Sequence, residues 1–197
     1  MIVWEGNKKE FGTSHQSPSV PQNAIKIRDA EGFIGKALPL GIVPMIICMV
    51  TVFLKAFIKK EPPISPIFLI PAFLFGFVIA LPLHELAHAV CYPKEATVWV
   101  GLCIRKMQAW TISYHPLKKG RFIGMSLAPA VLGIIPLIGV ILTPITMKPL
   151  LTICIVSAFM GLISPVPDYM DVISVLRKTP KGAVICDSQI GLYAYIK

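Results

Sequence analysis

Acidic side chains are scarce in this sequence, with ten Asp and Glu against nineteen Lys and Arg, and long stretches carry almost no charge of either sign. Only 15% of the residues are charged while 55% are hydrophobic, and the mean hydropathy is +0.72. A water-soluble globule of 197 residues needs more polar surface than that, so an ordinary soluble domain is excluded. Cysteines are few and unpaired in spacing: Cys48, Cys91, Cys103, Cys154 and Cys186 form no CxxC element. This argues against a zinc ribbon or a disulfide framework and for reduced packing residues. The first 37 residues lack the charged start, short apolar core and cleavage site of a signal peptide, and read as a polar cytosolic tail. There is no internal repeat, no low-complexity segment and no inverted symmetry between halves of the kind found in many transporters.

What is present is apolar length. Four nearly uncharged runs, Leu38 to Ile58, Pro66 to Val90, Phe122 to Ile145 and Pro149 to Pro167, each approach the roughly 20 residues a helix needs to cross a hydrocarbon layer about 30 Å thick. The expected fold is an all-α membrane bundle of about four transmembrane helices. Its expected organisation is a polar tail over 1–37, a membrane-embedded domain over 38–176 and a cytosolic tail over 177–197. Prolines inside the spans are tolerable in membrane helices, and a kink is expected near Pro82.

The basic residues sort by side. Five precede the first span, six lie from Lys94 to Arg121 and four follow Pro167, whereas the alternate loops hold only Lys59, Lys60 and Lys148, with Lys55 close enough to a span end to snorkel. The positive-inside rule then places both termini and the central loop in the cytosol. The basic surplus is a topology signal reinforced by anionic lipid. No aromatic-interleaved basic groove appears, so a nucleic-acid partner is not expected.

Between spans two and three, "TVWVGLCI" and "QAWTISY" alternate with period two about "RKM", which predicts a β-hairpin turning near Arg105 to Met107. Val98, Val100, Leu102 and Ile104 share one face of the first arm, and Trp110, Ile112 and Tyr114 share a face of the second. Such a hairpin either lies in the headgroup region with Trp99 and Trp110 as interfacial anchors or handles substrate. A second short hairpin is suggested by "AVICDSQIGLYAYI".

Ionisable residues interrupt the second run at its end, in "ALPLHELAHAV". His84 and His88 are four apart, so on a helix they project from one side, one turn from each other. Two imidazoles so placed can grip one ion, and Glu85 beside them can reach a water at the metal without being a ligand. This HExxH spacing is that of zinc sites in which the glutamate acts as general base. Histidines near a helix end can also simply snorkel to the interface, but ionisable residues in hydrocarbon are costly and usually serve an ion, proton or substrate.

Catalytic zinc takes three protein ligands. Of four aspartates, Asp168 and Asp171 stand at the end of the fourth run in "SPVPDYMDVISVL". By the charge-derived topology they fall on the same side as the histidines. His84 is eighteen residues past Pro66 and Asp168 nineteen past Pro149, about 27 to 29 Å along each helix. Asp168 is preferred as third ligand, with Asp171 the alternative; both aspartates can also be read as helix N-caps after Pro167. His115, beside Pro116, is a weaker candidate for stabilising an intermediate, and His15 has no functional case.

HELAHA in an apolar run, followed by a hairpin, "RFIGMSLAPAVLG" and "SPVPDYMDVISVLRKTPKGAVICD", resembles the zincin-peptidase family of small bacterial integral-membrane proteins, which are distantly similar to site-2 proteases. The likeness covers roughly Phe73 to the C-terminus. It implies that His84 and His88 bind Zn²⁺, that Glu85 is the catalytic base and that an aspartate after the fourth span completes the site. Site-2 proteases carry that aspartate in a Leu-Asp-Gly motif after an Asn-Pro element, and neither is found here. The expected function is hydrolysis of membrane-associated polypeptides by an integral membrane protein of the bacterial cell membrane. A catalytically silent relative that binds membrane proteins, or a metal or proton transporter, are the alternatives; a transporter fits less well because the third span has no ionisable group. The oligomeric state is not legible.

Overall fold

The computed structural model describes residues 1–7, 15, 19–30, 32–103, 105 and 108–196. In chain order the helices are α1 (Phe33–Ala37), α2 (Ile42–Lys59), α3 (Leu69–Phe75), α4 (Leu81–Val90), α5 (Lys119–Leu127), α6 (Val131–Leu142), α7 (Lys148–Ile163) and α8 (Val166–Lys178). The strands are β1 (Ile2–Asn7), β2 (Ile25–Asp29), β3 (Val98–Cys103), β4 (Gln108–Ile112), β5 (Leu117–Lys118), β6 (Val184–Ser188) and β7 (Gly191–Tyr195).

Among the described residues, four helical stretches are long and apolar enough to cross a membrane: Gly35–Lys59, Pro66–Val90, Lys119–Leu142 and Lys148–Lys178. All four expected runs are therefore helical. The last outruns its apolar stretch because the amphipathic segment after Pro167 continues as α8, where a proline in the first turn forfeits no helical hydrogen bond. Ahead of Pro82, where a kink is expected, the helix contains a π turn at Gly76–Ala80. Proline at 82 removes an amide and would crowd the carbonyl four residues back, and a widened turn relieves both.

The chain divides into two compact units. One comprises Leu38–His84 and Pro129–Val166. Here α2 buries little besides Pro44 and Cys48 and leaves Phe53, Phe57 and Ile58 exposed, as suits a hydrocarbon surround. The centre is α7, which buries Leu151, Ile155, Val156 and Ala158. Its contact with α6 depends on glycine: a Cβ at Gly133 would stand 2.5 Å from the Gly161 carbonyl carbon, and one at Gly161 2.5 Å from the Gly133 nitrogen. Small residues at one crossing allow that backbone approach. Lys55, read from sequence as snorkelling, instead donates to the carbonyls of Ile141 (3.0 Å) and Thr143 (2.7 Å), satisfying acceptors at the end of α6.

The other unit comprises Met1–Ala37, Glu85–Ala128 and Pro167–Lys197. It holds two sheets, so the fold is not all-α and its strands are not confined to the loop between the second and third long helices. The expected central hairpin is present, with Trp99 opposite Ile112 and Cys103 opposite Gln108. Ile104, Lys106 and Met107, at the expected turn, lie outside the described residues. Parallel to β3 runs β1, giving the order β1-β3-β4. Val98 and Val100 pack with Ala89 and Ala96, while Trp110, Ile112 and Cys103 form the opposite face with Trp99 and Tyr114 against them. Trp110 is buried and its ring lies over Gly101, so it is a core residue here and not an interfacial anchor.

The second sheet has the order β2-β7-β6-β5. The expected C-terminal hairpin is its β6–β7 pair, with Ser188 opposite Gly191. Helices α5 and α8 cover it through Phe122, Met125 and Val175 against Ile27, Ile185 and Leu192. Both β1 and β2 thus come from the segment expected to be a polar tail. Their pairing partners lie about a hundred residues away or more in sequence, so local periodicity gives no sign of them.

Two outcomes follow from this packing. Gly133→Val or Gly161→Val overpacks the α6–α7 crossing and is expected to cost about 1–3 kcal/mol, read as a lower unfolding midpoint in detergent. Gly124→Ala, inside α5 where an added Cβ meets nothing within 4 Å, is expected to leave the midpoint the same or slightly higher. On β6, removal from water pushes the Asp187 carboxyl up to about 6, against the opposing pull of Arg28. The folded form then binds this proton more tightly than the unfolded chain, so its contribution to stability declines as pH rises from about 4 to about 6. Asp187→Asn removes that component, measurable as a flatter dependence of the unfolding midpoint on pH across the same window.

Candidate metal centre

Helix α4 begins directly after the π turn, and both of its histidines are buried. His84 and His88 lie on this one helix, a turn apart. His88 Nδ1 lies 2.9 Å from the Met125 carbonyl, which can only accept, so Nδ1 carries a hydrogen and Nε2 is the nitrogen that a metal would take. That Nε2 stands 3.5 Å from Asp168 Oδ2. Two ligand atoms each about 2.0 Å from a tetrahedral ion are about 3.3 Å apart, so the pair is spaced as two corners of such a site.

His84 Nδ1 is 3.2 Å from the Ser164 hydroxyl oxygen, supplied 80 positions later where the chain leaves α7. With Nε2 on a metal, Nδ1 donates to that oxygen and the ring orientation is set, as for His88. Among the described residues, ligand atoms of His84, His88 and Asp168 all lie within 4.8 Å of one another. Two imidazole nitrogens and one carboxylate oxygen form a donor set suited to zinc, with room for a fourth, non-protein position. The residues fit the ion that the sequence motif implies.

The two candidate aspartates part company. Asp168 joins the histidines, whereas Asp171 is held by both ends of the Arg28 guanidinium, with Nη2 to Oδ2 at 2.9 Å. Desolvation opposes charge on Arg28, but the Asp171 carboxylate outweighs it and raises the guanidinium above its ordinary value. Glu85, half-buried, is not among the three clustered residues. Its backbone carbonyl accepts a 2.8 Å hydrogen bond from the Thr111 hydroxyl on β4, tying α4 to that strand. His115 stands apart from the cluster, its amide donating to Ser113 Oγ at 3.3 Å. His15 has a structural use: it pairs with Glu5 at 2.8 Å and stacks on Trp99 with ring centroids 4.1 Å apart.

Sequence reasoning missed Ser164, the Met125 carbonyl and Arg28. A lone hydroxyl at the end of a hydrophobic run was the one available signal for Ser164. A backbone carbonyl leaves no trace in sequence, and Arg28 reads as an ordinary charge in a polar segment.

Fold and site together define a mainly helical protein with membrane-length apolar helices and a HExxH motif whose histidines meet a distant aspartate. The model of the family described as "Putative zincin peptidase" matches residues 77–184, more than half of the chain, and the protein belongs to that family. The matched segment contains the three clustered residues and Glu85, while β1 and β2 precede it. No curated protein and no solved structure gives a match.

Replacing His84, His88 or Asp168 by alanine is expected to weaken zinc binding about a hundredfold or more, because a three-ligand site becomes a two-ligand one. His115→Ala is expected to leave affinity unchanged. Competition with a chromophoric chelator in detergent micelles measures both.

Proposed function

We propose that this protein is an integral membrane zinc metallopeptidase that hydrolyses peptide bonds of membrane-associated polypeptides. The observation that carries this reading is the meeting of Asp168 with the two histidines of the HExxH motif, with the intervening glutamate left outside the cluster. Zinc, when bound, supplies a Lewis acid that polarises the scissile carbonyl and makes water more acidic. His84, His88 and Asp168 hold it, Ser164 and the Met125 carbonyl orient the imidazoles, and Glu85 takes the proton from the attacking water and delivers it to the leaving amine. The order of parts, HExxH on one helix and an aspartate beyond a later one, is also that of site-2 proteases and supports action within the bilayer.

The substrate is an extended segment, because a helix shields the carbonyl that must be attacked. In the first sheet β1 occupies one side of β3, so β4 is the remaining edge of the hairpin among the described residues. Thr111 ties that strand to the backbone of Glu85, which favours β4 as the edge on which a substrate strand adds. The distribution of Lys and Arg supports cytosolic termini, and neither site nor charge pattern calls for nucleic acid.

Glu85→Gln separates binding from chemistry. The variant is expected to retain zinc at wild-type affinity and to lose about 10²- to 10⁴-fold in peptide hydrolysis, measured on unfolded membrane-protein segments in proteoliposomes. Retained zinc with unchanged turnover contradicts the assignment of Glu85 as base.

A further inference from the structure

Helix α8 carries the carboxylate of the proposed centre, and Ser164 and Pro165 stand between its first residue and the end of α7. What α8 packs against bears on the direction in which Asp168 points. The contacts of α8 with β2 fall on one stripe. Asp171 takes the Arg28 guanidinium, Val175 is fully buried in one core cluster with Ile27, and Lys178 donates to the Ile27 carbonyl at 2.6 Å. Positions 171, 175 and 178 follow the i, i+4, i+7 spacing of a single helix face. Extending that stripe one step toward the N-terminus reaches Asp168, three residues before Asp171 and about 60° around the helix.

We infer that Arg28 is a positioning residue for the metal centre: by gripping Asp171 from β2 it sets the rotation of α8 that presents Asp168 to His88, and it withholds the second aspartate from the ion. The inference rests on the metal-centre reading above. Arginine suits this task because its planar fork engages both carboxylate oxygens and so fixes orientation as well as distance, which a lysine ammonium does not. The pair is largely enclosed, with side-chain exposures of 15% for Arg28 and 11% for Asp171, so solvent does not supply a ready substitute. Arg28 lies outside the 77–184 segment that defines the family match, so the inference gives the N-terminal strand a part in the site that the motif alone does not contain.

A charge-conserving change separates positioning from simple electrostatics. Arg28→Lys keeps the positive charge and the apolar pair removes opposite charges together, so loss of affinity in Arg28→Lys reports lost orientation of α8 and not a missing charge. Zinc affinity of the full-length protein in micelles is measured for wild type, Arg28→Lys, the apolar pair Arg28→Met with Asp171→Leu, and Lys178→Met. Cobalt(II) spectra report the coordination geometry of each. Arg28→Lys and the apolar pair are expected to lose about tenfold in affinity, as for other groups that orient metal ligands, with altered cobalt spectra. Lys178→Met, which cuts a tie to β2 ten residues beyond Asp168, is expected to stay within about twofold of wild type, since its contact is some 15 Å further along the helix. Wild-type or tighter zinc binding in either folded Arg28 variant overturns the inference, as does an equal loss in Lys178→Met. Failure of both Arg28 variants to fold assigns the pair to stability and also overturns it. A wild-type protein that binds no zinc overturns the metal-centre reading itself, and the positioning role with it.

Discussion

The contact between His88 Nε2 and Asp168 Oδ2 is the constraint on which the site depends. It joins residues 80 positions apart in a chain whose apolar helices otherwise carry few ionisable groups, Lys55 of α2 among them. Buried imidazoles and a carboxylate are unfavourable there unless something compensates for lost hydration. Each imidazole has an oxygen partner on Nδ1, and a divalent ion on the remaining nitrogens and the carboxylate would complete the compensation. The π turn before Pro82 leads into α4, and Ser164, between α7 and α8, supplies a hydroxyl to His84.

Around the site the protein uses two kinds of packing. In the unit of long apolar helices, polar groups are satisfied locally, as Lys55 is by the last carbonyls of α6, and helices approach through glycine. In the unit with the sheets, strands from the N-terminal segment are built into both layers, and the core is made by Ile27, Val175, Ile185 and their neighbours. The first arrangement is suited to hydrocarbon, where no hydrophobic driving force pulls helices together. The second resembles the interior of a soluble domain, with charged groups paired, as Arg28 is with Asp171.

How much of this was legible in sequence follows from the range of the signals. Apolar length is a local property, so the four long helices could be read directly, and the four-residue spacing of His84 and His88 needs only a helix to bring both to one side. Asp168 could be matched to them because aspartates are few and helix rise converts residue count into depth. The central and C-terminal hairpins showed as alternation about a turn. By contrast, β1 and β2 are short strands in a polar stretch whose partners are distant, and nothing in "IVWEGN" or "IKIRD" names those partners. Sequence preferred Asp168 but left Asp171 as an alternative, because what holds Asp171 elsewhere is Arg28, 143 positions before it.

X-ray absorption at the zinc edge of the purified, zinc-loaded protein tests the central claim most directly. The account predicts a first shell of nitrogen and oxygen alone at about 2.0–2.2 Å, with outer-shell scattering from two imidazoles. A zinc–sulfur distance near about 2.3 Å, drawn from any of the five cysteines, or the absence of imidazole scattering, would contradict it.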